Sequence, residues 1–166
     1  MKRIEIDIDL KTKNDYVSEY NDNTLEPALK HYIINELVGY DTKTKVVIFI
    51  KPKYKIKEEE QAQYRKILRK EFKESLSDLE EIRRQSNNKR VGLFLIGLIS
   101  FLIQLRLGSY IGSVFSEIIE IIGWVCIWEF IYSILFTAIS RKNDIDRLKQ
   151  ILNAEIEFKW GLYGRI

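Results

Sequence analysis

Two long apolar runs, Val91–Leu107 and Ile118–Ile139, fix most of what this chain can become. The second has 22 residues and the first 17. An α-helix needs roughly 20 to cross a hydrocarbon core of about 30 Å at about 1.5 Å per residue. Lys and Arg flank the pair on the outside, and only a short segment separates them. The pattern predicts a two-helix transmembrane hairpin. The competing reading, the core of a soluble helical bundle, fits less well, because buried core helices are usually shorter and amphipathic.

Averaged composition conceals this. A mean hydropathy of -0.19 and 31% charged residues resemble a soluble domain only because two unlike regions are mixed. Residues 1–90 carry 20 Lys/Arg against 17 Asp/Glu, which accounts for the whole formal +3. Residues 91–139 hold one Arg and three Glu. A balance this small and this interspersed argues against nucleic acid as a partner. Cys126 is the single cysteine, so no intrachain disulfide is expected, and its place inside the second run argues against a redox role. The opening MKRIEIDIDL alternates charged and apolar residues and does not read as a signal peptide.

Basic residues resist translocation. Arg83, Arg84, Lys89 and Arg90 precede the first run, and Arg141, Lys142, Arg147 and Lys149 follow the second. Both termini are therefore expected in the cytoplasm, with the protein multi-pass in the inner membrane of the cell. Arg106, Glu117 and Glu120 would form a solvated cluster near the external surface, worth about 0–1 kcal/mol. Tyr110, Trp124 and Trp128 are candidate interfacial anchors.

The remainder reads as α/β. Ile4, Ile6, Ile8 and Leu10 alternate with Glu5, Asp7 and Asp9, the pattern of a half-buried strand over Arg3–Leu10. After a polar stretch, Thr24 is the expected N-cap of a helix over Leu25–Leu37 that Gly39 ends. The β-branched run Lys45–Lys51, closed by Pro52, predicts a more buried strand and completes a β-α-β unit. A long helix is expected from about Ile56 to Arg84, with Tyr64, Leu68, Phe72, Leu76, Leu79 and Ile82 on one face. That face covers the sheet or also packs against other copies. Downstream, Asp144 is expected to cap a short helix. Ile156, Phe158 and Trp160 alternate with Glu155, Glu157 and Lys159 as a third strand returning to the sheet, since a lone strand cannot satisfy its backbone. The chain thus divides into a cytoplasmic α/β region (1–90), a transmembrane hairpin (91–139) and a helix and strand that complete the soluble domain (140–166).

Polar residues inside the apolar runs carry the most suggestive chemistry. Gly97, Ser100 and Gln104 share one stripe, and Cys126, Glu129, Ser133, Thr137 and Ser140 share another. Close packing and interhelical hydrogen bonds drive helix association in lipid, so the stripes are predicted to form an intramembrane seam, with Glu129 opposite Ser100. An acid at that depth costs about 2.5–3.5 kcal/mol on insertion scales. Either it is structural, hydrogen-bonded to Ser100 or a backbone carbonyl, or it is a proton site, a pore-lining group or a lock between subunits.

No GxxxxGK[ST], GxGxxG or GxSxG occurs. His31 is the single histidine and has no cysteine or acidic cluster beside it, so neither a metal nor a cofactor is expected. Nothing here points to an enzyme. The leading expectation is a membrane-anchored interaction, scaffold or sensor module, self-associating as a homo-oligomer, with the lipid bilayer and a cytoplasmic protein as partners. The alternative is an oligomeric channel or membrane-disrupting effector built from several hairpins.

The segments LEPALKHYIINELV, YRKILRKEFKESL, KRVGLFLIGLISFLI, EIIEIIGWVCIWEFIYSILF and RLKQILNAEIEF together resemble a bacterial family of small, uncharacterised two-span membrane proteins. The likeness runs from Leu25 to Phe158, and its most specific piece is Gly123-Trp124-Val125-x-x-Trp128. Many relatives of that pattern carry Arg-Pro after the second tryptophan, where this chain has Glu129-Phe130. The resemblance implies a topology and no activity.

Overall fold

The computed structural model describes residues 3–108, 110 and 112–159. Contacts divide the chain into two units, Met1–Asp78 with Asp144–Ile166, and Leu79–Asn143.

The first unit is built on three parallel strands in the order β1-β4-β5, where β1 is Arg3–Leu10, β4 is Lys45–Pro52 and β5 is Glu155–Phe158. Alternation in β1 places Ile4, Ile6, Ile8 and Leu10 inside and the charged residues outside. The central strand β4 buries Val46 through Ile50 without a break, the pattern of a strand covered on both faces. In register, Ile8, Ile50 and Phe158 line one face of the sheet. β5 therefore joins residues beyond the second apolar run to a sheet begun at the other end of the chain. Trp160, expected in this strand, lies outside the described residues.

Helix α1, Pro27–Glu36, connects β1 to β4. It starts later than the sequence predicts, and Thr24 is not its cap. Residues Asn21–Leu25 instead form strand β3, antiparallel to β2 (Val17–Ser18). The reason lies in Pro27, which holds the preceding residue extended. Glu26 has ψ 125° and donates its N–H to the Tyr16 carbonyl at 2.9 Å, so helix begins only at Pro27 itself. Beyond the helix, Gly39 takes a φ of 92°, in the left-handed region that favours glycine.

The long helix and the first apolar run, read from the sequence as separate, are one helix: α2 spans Glu58–Leu107. Nothing between Gln85 and Arg90 can break it, since that segment holds neither Gly nor Pro. Tyr64, Ile67, Leu68 and Phe72 are buried in the first unit, and burial then fades until Ile82 is exposed. Arg65 lies 5.1 Å over the Phe158 ring, which sets this part of α2 on the Ile8–Ile50–Phe158 face. A Lys30–Glu71 ion pair at 3.1 Å ties α1 to it.

Asp144 caps nothing either. Helix α3 (Ser113–Tyr132) passes through a π-helical segment, Ser133–Ala138, into α4 (Ile139–Leu152). Asp144 sits inside α4, 3.8 Å from Arg147. Buried Ile145, Leu148 and Ile151 hold α4 in the core, and Gln150 donates to the carbonyls of Asp41 (3.3 Å) and Thr44 (2.6 Å).

A tyrosine cluster closes the core near Val17. The Tyr16 and Tyr64 rings stack with centroids 4.3 Å apart. The Tyr16 hydroxyl donates to the Tyr64 carbonyl at 2.7 Å, and the Tyr54 and Tyr64 hydroxyls share a bond of 3.2 Å. Burial pushes the Tyr16 and Tyr54 phenols well above their ordinary range.

Candidate functional site

In the second unit, α2 and α3 pack as an antiparallel hairpin. Phe94 meets Phe130 (ring centroids 5.0 Å apart), and Phe101 meets Trp124 edge-on at 5.6 Å. As the position rises along one helix it falls along the other. Arg90 donates from Nε to the Ser133 hydroxyl at 2.8 Å near one end, and Ser116 donates to Gln104 at 2.9 Å near the other.

Two glycines sit where the helices meet. A Cβ at Gly97 would stand 2.9 Å from the Ile127 side chain and 3.3 Å from the Gly123 carbonyl oxygen. One at Gly123 would stand 3.3 Å from the Ser100 Cβ. Small residues let the backbones meet, as in lipid-embedded helix pairs.

On α2, the stripe Gly97, Ser100 and Gln104 lies on this seam. Ser100 is 7% exposed and donates to the Ile96 carbonyl at 2.9 Å. On α3 the predicted stripe divides. Ser133 reaches the seam through Arg90, and Cys126 and Thr137 are half-buried. Glu129 is exposed on the outer surface, and Gly123 takes the place opposite Ser100 that the sequence assigned to it. The helix rotates Glu129 away because Gly123, Ile127 and Phe130 follow the contact spacing of three and four. The side chain of Ser140 lies outside the described set. Gly123 went unnoticed as a seam residue, although a lone glycine in an apolar run is the usual mark of close helix approach.

The outer faces are apolar and bare. Both helices are long and apolar enough to cross a membrane, and only 11% and 6% of their most apolar stretches are buried. Leu95, Leu98, Ile99, Leu102, Ile121, Val125 and Trp128 are among the exposed side chains. Arg106, Glu117 and Glu120 are exposed, with no ion pair joining them among the described residues. At the opposite end of the hairpin, Arg83, Arg84, Lys89 and Lys142 are exposed, whereas Arg90 and Arg141 are half-buried.

A second feature was not anticipated. On the first unit, Arg65, Lys66, Arg69, Lys70 and Lys73 share an open face of α2, with Glu74 at its edge. Glu74 lies 4.0 Å from Lys70. Like charges four residues apart each cost a helix about 0.2–0.5 kcal/mol. The signal was present in the sequence as RK-x-x-RK-x-x-K but was masked by the neutral average of the region.

Set against protein-family models, curated proteins and solved structures, the chain matches none of them.

Proposed function

We propose that this chain is a membrane-anchored interaction module, with its hairpin in a lipid bilayer and its α/β unit receiving a protein partner in the cytoplasm. The observation that carries the reading is the bare apolar surface of α2 and α3. Monomeric soluble proteins rarely expose contiguous apolar patches beyond a few hundred Å². Apolar surface favours leaving water by about 25 cal/mol per Å², and lipid removes that penalty without any protein cover. Basic residues at one end of the hairpin support cytoplasmic placement of both termini. The cationic face of α2 supports a partner that presents an acidic segment, which would relieve the repulsion between its like charges. The resemblance to two-span bacterial membrane proteins belongs to the same reading.

Exposed Glu129 supports self-association, because a carboxyl facing acyl chains is costly and a second hairpin offers it hydrogen bonds. It also favours a second reading, a ring of hairpins whose polar faces enclose a conducting path.

The experiment is a paired one. Alkaline extraction of cell membranes should leave the full chain in the pellet, and a reporter that fluoresces only in the cytoplasm, inserted after Ser109, should stay dark. Dispersal in plain buffer or a bright reporter overturns the reading. Mass measurement in nanodiscs then separates the two forms. A small oligomer without conductance supports the module, whereas four or more copies, with liposome conductance that Glu129→Leu alters, supports the channel.

A further inference from the structure

The basic end of the hairpin holds a cleft of about 300 Å³, formed by α2 and the stretch that runs from the π-helical segment into α4. Four cations line it: Arg83, Arg90, Arg141 and Lys142. Among the described residues no carboxylate lines it. Its remaining wall includes Ile134, Leu135 and Ile139, all exposed aliphatic side chains.

The two arginines nearest the seam are held by neutral groups. Arg90 donates from Nε to the Ser133 hydroxyl at 2.8 Å and from a terminal nitrogen to Asn87 Oδ1 at 2.8 Å. Arg141 donates to the Ser86 hydroxyl. These bonds orient both guanidinium groups and neutralise neither. Each guanidinium has five N–H donors in a fixed fork, so donors remain for an oxyanion. The π-helical turn supplies both Ser133, which orients Arg90, and the aliphatic residues beside it. Such turns are rare and concentrate at functional sites.

A cluster of cations set against aliphatic side chains complements an amphiphile with an anionic head and a hydrocarbon body. We infer that this cleft binds the phosphate headgroup of an anionic phospholipid, with the acyl chains lying along Ile134, Leu135 and Ile139. Basic pockets between helices on the cytoplasmic side bind such headgroups elsewhere. The inference rests on the membrane reading above and adds a specific ligand class to it. Glu80, Glu81, Asp144 and Asp146 adjoin the basic flanks along the chain. None of these acids lines the cleft.

The test uses the full chain in nanodiscs of phosphatidylcholine doped with phosphatidylglycerol, released and weighed by native mass spectrometry. Phosphatidylglycerol should stay bound in preference to phosphatidylcholine. Exposed Arg83 and Lys142 can be changed without disturbing the seam, and each charge removed by Arg83→Gln or Lys142→Gln should weaken retention about fivefold. Arg90→Lys with Arg141→Lys keeps the charge, loses the fork, and should weaken it less than Arg90→Gln with Arg141→Gln. Arg106→Gln, at the far end of the hairpin, should change nothing. Equal retention of both lipids, unchanged retention in the Gln variants, or displacement by inorganic phosphate alone overturns the inference. Failure of the chain to enter nanodiscs at all would sink the membrane reading instead, so the two failures are distinguishable.

Discussion

The two units spend the same residue types in opposite ways. In the α/β unit Ile6, Ile33, Ile48, Ile50, Leu68 and Phe72 are at most 1% exposed, while charged residues occupy the outside of β1. In the hairpin the order is inverted. Small and polar residues (Gly97, Ser100, Gly123, Gln104 with Ser116) hold the helices together, and Ile, Leu, Val and Trp face outward. Water explains the first arrangement, since removing apolar area from it is what drives a core together. It does not explain the second. The proposed lipid surroundings would, because there side-chain burial gains little, and close packing and hydrogen bonds decide what meets what.

The largest expected effect tests this contrast directly. Phe72→Ala in the α/β core should cost about 3–5 kcal/mol, read from urea unfolding followed by circular dichroism in mild detergent. Leu102→Ala, which removes a comparable side chain from the outer face of α2, should shift the same curve by less than about 0.5 kcal/mol. Equal losses would mean that Leu102 is buried in a protein core, and the comparison would break.

Next in size is the seam. Replacing Gly97 by valine drives branched carbons into Ile127 and toward the Gly123 backbone, and should destabilise the helix pair by about 1–3 kcal/mol. Labels at Phe94 and Phe130 positions would report the separation by energy transfer. Gly92→Val, where nothing stands within 4 Å of an added Cβ, is the matched control and should leave the separation unchanged.

How much of this was legible before the structure follows the same division. In the α/β unit, period-two alternation marked β1 and the denser β-branched run marked β4, because each strand must present one or both faces to a core. β2 and β3 escaped notice because Asn21-Asp22-Asn23-Thr24 has no apolar alternation and pairs by backbone alone. The seam was half legible. Gly97, Ser100 and Gln104 share one face of the first apolar run, so spacing picks them out. In α3 the apolar residues run all round, so there is no moment to orient the helix, and polar spacing chose Glu129 where close approach chose Gly123. The cleft at the basic end needed the π-helical turn, which no local pattern announces.

The tyrosine cluster gives a smaller effect confined to the α/β unit. Tyr16→Phe removes the donor to the Tyr64 carbonyl and should cost about 1 kcal/mol. Because burial raises the folded-state pKa of Tyr16 and Tyr54 above the unfolded value near 10, their contribution is complete below about pH 10. Above it the unfolded chain ionises first and stability falls. The urea midpoint of the wild type should drop on going from pH 9 to pH 11, and less so in Tyr16→Phe.

The smallest effect runs the other way along the pH axis. Asp15 closes a 3-10 turn at Lys13–Asp15, where its carboxylate accepts from the backbone N–H groups of Lys11 (2.6 Å) and Thr12 (2.9 Å) and from the Thr12 hydroxyl (3.1 Å). The Thr12 backbone bond leads in lowering its pKa below the usual carboxylate value. The folded chain therefore holds this proton less tightly than the unfolded one. The stabilisation is complete above the unfolded value, about pH 4, and is lost as the pH falls through the lower folded value. Asp15→Asn keeps the shape and removes the charge, so its deficit relative to wild type should be present at pH 7 and close as the pH falls through the lowered folded-state value. A deficit that persists in acid would assign the effect to shape instead of charge. Helix-pair separation reported from the hairpin labels should not follow this titration, because Asp15 belongs to the unit that water organises.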